Sequence, residues 1–436
     1  MSENLLINAR WVVPVEPAGT VLERHAVAVR DGRIEALLPA AEAASRFPGY
    51  ARIDLPGHAL LPGLVNAHTH AAMSLMRGLA DDLPLMRWLE EHVWPAEGRH
   101  VSAEFVKDGT LLACAEMLRG GVTCFNDMYF FPEAALEAAL VAGMRASLGI
   151  IVIEFPSAYA ADPQSYLAQG LALRDRWTEH PQLSFCLAPH APYTVSDETF
   201  RRVAQLSAEL ELPVHVHVHE TAHEVERAAA ERGMRPLERL AGLGLLGPTL
   251  IAVHAVHLDD EEIALLARHR ASVAHCPSSN LKLASGIAPV ARLAAAGVNI
   301  ALGTDGAASN NRLDVFAEMR LAALLAKAAS GDAEAMPARA ALHAATLGGA
   351  IALGLEARIG SLVPGKAADL VAVSLDDLSL QPMYDVVSHL VYACGRENVT
   401  DVWVAGERVL RDRQLARVDV ADLQARARLW QTRLSN

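Results

Sequence analysis

The sequence predicts an α/β protein: a (β/α)8 TIM-like barrel plus a small β-sandwich domain built from both chain ends. Three observations predict it. Short apolar runs alternate with Ala- and Leu-rich amphipathic segments over roughly 300 residues, the rhythm of parallel strands joined by crossover helices. Both ends of the chain are β-rich and lack that rhythm. The chain has 436 residues, 52% of them hydrophobic, too long for one ordinary domain and suited to a barrel with a smaller companion. A doubly wound open sheet would give similar alternation, so the pattern alone leaves that alternative open.

Residues 5–15 are apolar and read as a strand. Residues 25–37 read as a hairpin about Asp31-Gly32. Segment 1–60 is therefore expected to be the first part of the small domain. The barrel is expected over 61–357, with strands at 60–66, 121–125, 146–153, 183–188, 214–218, 249–253, 271–274 and 299–303. Amphipathic segments at 133–142, 197–210, 261–269 and 287–296 read as its helices. Segment 358–436 returns to the small domain through a buried-strand run at 368–375 and a hairpin at 399–410 about Ala405-Gly406.

Charge and cysteine content exclude several classes. The net charge is −13, from 38 basic and 51 acidic residues, which argues against a nucleic-acid surface. The five cysteines are odd in number and form no C-x-x-C, so a disulfide framework or Cys-type zinc site is not expected and a reducing cytoplasm is. No signal peptide and no membrane span are read, because no run of about 18 apolar residues lacks charges.

The 18 histidines are the anomaly. His68 and His70 form an H-x-H where an apolar run ends, and residues two apart on a strand point the same way. His215, His217 and His219 alternate, which predicts one shared strand face. His254 and His257 follow a third run, and Asp305 follows the last one. Taken singly, each has a structural reading: a loop pair, a core histidine, a helix-capping Asp. Four strand ends carrying His, His, His and Asp would converge on one face of a barrel, and neutral imidazoles with one carboxylate suit a divalent transition metal.

Three other motifs lack the context their chemistry needs. H-E-x-x-H at His219–His223 works on a helix, and here it follows a strand. G-x-G-x-x-G at 242–247 follows a helical segment and precedes Pro248. The near P-loop at 360–366 is followed by Ala367, which cannot bind magnesium.

With these residues in view the chain resembles the amidohydrolase superfamily, within its nucleoside and triazine deaminase/chlorohydrolase group, and most of all the 5-methylthioadenosine/S-adenosylhomocysteine deaminase family. The stretches that carry the resemblance are PGLVNAHTH (62–70), GGVTCFNDMYF (120–130), APHAPY (188–193), HVHE (217–220), VHAVHLDD (253–260), PSSNLKLASGIAPV (277–290) and GTDGAASNN (303–311). GSLVPGKAADLVA (360–372) matches the family's return into the small sheet domain. The resemblance implies metal ligands His68, His70, His217 and Asp305; it selects His217 because the ligand stands three residues before the catalytic Glu. It implies proton transfer by Glu220, His254 and Asp305, and substrate contacts from Glu97, His190, Glu220 and Trp88.

The implied cofactor is one zinc ion per subunit, with Fe2+ or Mn2+ as substitutes. A second, carboxylated-lysine-bridged metal is not expected, because none of Lys107, Lys282, Lys327 and Lys366 lies near the fourth strand. The implied substrates are 5′-methylthioadenosine and adenosine, with S-adenosylhomocysteine less well accepted, since Ile150 is read in place of a family arginine that holds the anionic tail. Other aminated rings (guanine, cytosine, an oxidised purine) and triazines are the alternatives, with a non-catalytic relative as the reading from another class. Relatives are commonly dimers or tetramers, so a homo-oligomer is expected. His257 and His275 receive no role.

Overall fold

The computed structural model describes residues 3–435; positions 1, 2 and 436, which the expected end segments include, lie outside the described residues. The first segment forms β1 (Leu5–Val12), β2 (Leu22–Arg30), β3 (Arg33–Pro39) and β4 (Ala51–Pro62). Eight strands follow: β5 (Leu64–Thr69), β6 (Val122–Asp127), β7 (Arg145–Val152), β8 (Leu183–Pro189), β9 (Val214–Val218), β10 (Leu250–His254), β11 (Ser272–His275) and β12 (Asn299–Leu302). The last segment gives β13 (Leu370–Ser374), β14 (Val399–Val404), β15 (Glu407–Arg411) and β16 (Gln414–Leu415).

Strands β5 to β12 lie side by side in chain order and every ladder between them is parallel. Every residue of β5, β6, β7, β9, β10 and β11 is buried. Helices cover their outer face, so these strands read in sequence as unbroken apolar runs. The sheet closes between β12 and β5. Asn66 Nδ2 donates to Thr304 Oγ1 at 2.7 Å, Thr304 N–H donates back to Asn66 Oδ1 at 3.0 Å, and Asp305 N–H donates to the His68 carbonyl at 3.0 Å. Closure removes the open-sheet alternative.

The run expected at 60–66 is not one strand. Leu60 to Pro62 finish β4, which pairs with β1 and β13 of the small sheet, and the barrel strand starts at Leu64. The break is Gly63, where a Cβ would lie 2.1 Å from Thr123 Oγ1. Both halves are apolar, so hydrophobicity could not mark the boundary. The helix expected at 287–296 is shorter, Val290–Ala295, and starts after Pro289.

The small sheet has the order β16-β15-β14-β13-β4-β1-β2-β3. β4 runs parallel to β1 and antiparallel to β13, so it joins the two chain ends in one sheet. Both hairpin turns have positive φ at two central residues, Asp31 and Gly32 in one and Ala405 and Gly406 in the other, as type I′ turns require. The sheet folds over on itself: Ile34 N–H donates to Lys366 O at 2.9 Å, and Ala368 N–H donates to Gly32 O at 2.8 Å. Ile7, Leu60, Leu370 and Trp403 belong to the core so enclosed. No helix among the described residues is long and apolar enough to cross a membrane.

One buried ion pair ties the small sheet to the barrel. Arg145 at the start of β7 grips Asp369 beside β13 with two bonds, Nε at 2.9 Å and Nη2 at 3.1 Å, and its Nη1 donates to Pro181 O at 2.6 Å. Asp369 also accepts the Ala405 N–H at 2.8 Å. Both side chains are almost fully buried. Removing one partner strands the other charge in the interior. Asp369→Ala is expected to lower stability by about 3–5 kcal/mol, read by urea denaturation, far more than Asp412→Ala on the exposed surface.

Candidate active site

The strand ends of β5, β9, β10 and β12 bring together the histidines and carboxylates expected from the sequence. His68 is fully buried. Its Nε2 lies 3.2 Å from His217 Nε2 and 3.3 Å from Asp305 Oδ1, and His70 Nε2 lies 3.3 Å from the same oxygen. Second contacts fix the tautomers. His70 Nδ1–H donates to the Met128 carbonyl at 2.6 Å, and His217 Nδ1–H to the His190 carbonyl at 2.8 Å. Each therefore turns an Nε2 lone pair inward when neutral. Burial, the largest effect, lowers the His68 pKa to about 4 and holds His217 well below the usual value, so both rings are neutral near pH 7.

Asp305 has φ +61 and closes the set. Its Oδ2 accepts the hydroxyls of Ser279 at 2.6 Å and Ser309 at 2.7 Å, and its Oδ1 accepts the Gly306 N–H at 2.8 Å and faces the imidazoles. Burial by itself would raise this carboxyl, but the His68 hydrogen bond and the neighbouring histidines hold it well below the usual range. Gly303 lets β12 come this close, since a Cβ there would lie 2.8 Å from His68 Cβ. His68, His70 and Asp305 offer one donor atom each within 4.8 Å of one another, as do His68, His217 and His254. Neutral nitrogen lone pairs and a carboxylate pointing at one spot repel one another unless a cation lies between them, so the centre is built for a divalent metal ion.

Glu220 and His254 flank that centre. His254 Nδ1–H donates to Asn280 Oδ1 at 2.9 Å, which leaves Nε2 as an acceptor 3.8 Å from Glu220 Oε2. Glu220 is buried; desolvation, with help from the charge of Asp305, raises its pKa against the opposing pull of His254 and His70.

A cavity of about 380 Å³ opens above these groups. Trp88, Glu97 and His190 line it, as expected. Tyr129 O–H donates to Glu97 Oε1 at 2.7 Å, and burial raises the Glu97 pKa. His190 Nδ1 lies 2.9 Å from the Thr194 hydroxyl, which itself donates to Ala191 O, so Nδ1–H donates and Nε2 is left as an acceptor. Phe130, Ile151, Ile153, Phe155 and Ala158 make an apolar wall on the β6 and β7 side. No lysine or arginine is among the described residues that line it.

Two expectations need correction. His219 does not share the inward face of His215 and His217. It sits at φ +56, where β9 has ended, and its ring turns away: Nε2 accepts the Leu237 N–H at 3.0 Å and Nδ1–H donates to His257 O at 3.1 Å. His215 does face inward, with Nε2 2.9 Å from His68 Nδ1. Ile150 does not face the cavity. Strand alternation turns it outward, where its Cγ2 would lie 2.3 Å from a Cβ on Gly170, while Ile151 and Ile153 point in. An absent arginine therefore cannot be read at Ile150; the lack of cations in the lining carries that argument instead.

Sequence reasoning missed the groups that orient these side chains. Ser279, Asn280, Ser309 and Tyr129 all lie inside the stretches 277–290, 303–311 and 120–130, but nothing in the spacing assigns them partners. Glu318 was unmarked. It accepts the Ser278 N–H at 3.0 Å and the Asn310 amide at 2.8 Å, bracing both serine loops, and burial pushes its pKa up to about 7.

Known proteins share this arrangement. The family model described as the amidohydrolase family matches residues 59–409. The 5-methylthioadenosine/S-adenosylhomocysteine deaminase of Saccharophagus degradans is 48% identical over 431 residues, covering 99% of this chain and 97% of that one. The enzyme of the same name from Teredinibacter turnerae is 48% identical over 428 residues, covering 98% and 97%. An adenosine deaminase from Xanthomonas campestris, solved with bound zinc, superposes with a TM-score of 0.98 at 53% identity, covering 99% of each chain. Atrazine chlorohydrolase from Arthrobacter aurescens, solved with zinc, superposes at 0.89 with 24% identity, covering 98% of this chain and 99% of that one, a likeness of fold alone. With the family model matched over 59–409 and relatives 48% identical over nearly the whole chain, the chain belongs to the amidohydrolase family.

Proposed function

We propose that the protein is a zinc-dependent hydrolytic deaminase of adenine nucleosides, converting 5′-methylthioadenosine and adenosine to their inosine analogues with release of ammonia. The observation that carries this reading is a buried, raised-pKa Glu220 facing the acceptor nitrogen of His254 beside a three-histidine, one-aspartate centre. The names of the deaminase relatives and the zinc in the Xanthomonas campestris structure support it.

His68, His70, His217 and Asp305 would hold the ion. When bound, it is a Lewis acid that lets a water ionise near neutral pH. Asp305 and His254 would orient the attacking water and accept its proton; His254 can, because its Nδ1–H is committed to Asn280 and its Nε2 is bare. Glu220, whose pKa burial raises, gives its proton to the ring nitrogen beside the carbon under attack, which makes that carbon more electrophilic. The proton taken from water then passes to the amino group; ammonia leaves as the carbonyl forms, and the hydroxyl proton returns to the Glu220 carboxylate. Glu97, with one oxygen tied to Tyr129, has the other available for the sugar hydroxyls. His190 hydrogen-bonds the substrate and Trp88 walls the ring. The apolar wall of Phe130, Ile151, Ile153 and Phe155 suits a thioether or hydroxymethyl tail and offers an amino-acid carboxylate no partner. S-adenosylhomocysteine is therefore the poorer substrate. All five cysteines are free and buried, in accord with a reducing cytoplasm, and the working assembly is a dimer or tetramer, which light scattering would test.

Zinc-loaded protein is expected to turn over 5′-methylthioadenosine and adenosine quickly and S-adenosylhomocysteine slowly, followed by the adenine-to-hypoxanthine absorbance change and by ammonia. Turnover of guanine, cytosine or a triazine in place of all three would overturn the substrate assignment. Glu220→Gln is expected to lower kcat by about 10²–10⁴-fold while the metal content stays at one equivalent by elemental analysis. Because the Glu220 pKa is raised and its protonated form is the acid, kcat should fall as pH rises through that pKa. Ala158→Arg, which puts a cation on the apolar wall, should raise kcat/KM for S-adenosylhomocysteine about tenfold or more relative to 5′-methylthioadenosine.

A further inference from the structure

Glu220 does not continue the line of β9. The strand ends at Val218, and His219 takes a left-handed conformation, φ +56, that a residue with a Cβ adopts only when its surroundings hold it there. That turn aims the Glu220 carboxyl at His254. Its two central N–H groups, those of His219 and Glu220, both point at one side chain. Glu224 Oε1 accepts from His219 N–H at 3.2 Å, and Glu224 Oε2 accepts from Glu220 N–H at 2.9 Å. Successive backbone N–H groups of this kind form a concavity that binds an anion.

Glu224 is also the third residue of the helix Ala222–Arg232, whose N-cap Thr221 accepts the Glu224 N–H at 3.2 Å. An ordinary capping box would return the Glu224 carboxylate to the N–H of Thr221 itself. Here it reaches past the cap to the two peptides that flank the His219 Cα. Its job is therefore tied to the turn before the helix rather than to the helix end. A second cavity, about 230 Å³, is lined by Glu220, Thr221 and Glu224, so a small solute can reach this place.

We propose that Glu224 is a positioning residue for the proposed proton donor: its carboxylate, seated on the His219 and Glu220 N–H groups, fixes the left-handed turn that aims Glu220 at His254. This rests on the reading of Glu220 as the group that protonates the substrate ring. An amide in place of the carboxylate would turn an NH2 group toward one of the two N–H donors, so Gln cannot do the same work. An empty space in its place could be refilled by a small carboxylate.

The test uses metal-loaded enzyme with 5′-methylthioadenosine or adenosine. Glu224→Ala should lower kcat at least about tenfold with KM nearly unchanged, since a small misplacement of a reacting group costs rate and not binding. Sodium formate should restore much of that loss in a saturable manner, while chloride at equal ionic strength should not. Glu224→Gln should be as slow and should not respond to formate. Thr221→Ala, which removes only the helix cap, should keep the parental kcat while lowering Tm. Parental kcat in Glu224→Ala beside an inactive Glu220→Gln would overturn the positioning role and leave the deaminase mechanism standing. A loss that formate does not relieve would overturn it as well. If Glu224→Ala fails to fold, parental kcat in the isosteric Glu224→Gln would do the same. Full activity in Glu220→Gln would overturn the proton-donor reading, and the positioning role with it.

Discussion

The seam where β12 meets β5 is the contact on which the rest of the molecule depends. A parallel sheet of eight strands has two edges, and both would leave rows of unpaired N–H and C=O groups if the barrel stayed open. Here the edges meet through the reciprocal Asn66–Thr304 pair and the bond from Asp305 N–H to the His68 carbonyl. The same bond that closes the barrel sets the first strand's histidines beside the last strand's aspartate. Barrel closure and the grouping of these side chains thus share one contact, and the missing side chain of Gly303 permits it. The seam is polar and buried, so it stands only because every group in it is paired.

Around the seam, burial is used to push like groups apart. Asp305 and Glu220 are both buried carboxyls within one cavity wall. Asp305 takes two serine hydroxyls and faces imidazoles, and it is held ionised. Glu220 has no such donors on its carboxyl, and desolvation keeps it protonated to higher pH. Two carboxyls in different surroundings can serve as a ligand and as an acid at the same pH. The histidines follow the same logic: the inward-facing nitrogens of His70, His217 and His254 are bare because the other ring nitrogen is tied to a carbonyl or an amide oxygen, while the Nδ1 of His68 meets His215 Nε2.

The small sheet contributes no residue to the cavity lining, and its role is mechanical. Strand β4 carries the chain from that sheet straight into β5 across Gly63, and Arg145 with Asp369 locks β7 against β13. The strands that bear Ile151 and the loop after it are thereby held from below, which keeps the apolar wall in place without a side chain of the small sheet reaching the substrate.

The sequence by itself determined eight strands alternating with helices, because apolar runs buried on both faces leave a signal that survives without neighbours, and it determined the ends' shared sheet through their β-rich hairpins and Asp-Gly and Ala-Gly turns; that the eight strands close was decided by the tertiary structure. It marked His68, His70, His217, His254, Glu220 and Asp305 through strand-end placement and family resemblance. Local periodicity failed where a backbone turn decided the matter: a left-handed φ at His219 removed that ring from the face that alternation had given it, and Gly63 divided an apolar run that composition saw as one. The resemblance failed at Ile150, where only the strand's orientation against the helix Pro163–Trp177 shows which side chains face the cavity. The partners of Asp305, His254 and Glu220 were decided by the tertiary structure: Ser279 and Asn280 reach Asp305 and His254 across 26 residues, while Ser309 and Glu224 stand only four residues from Asp305 and Glu220 but meet them through backbone turns that leave no period in the sequence to read.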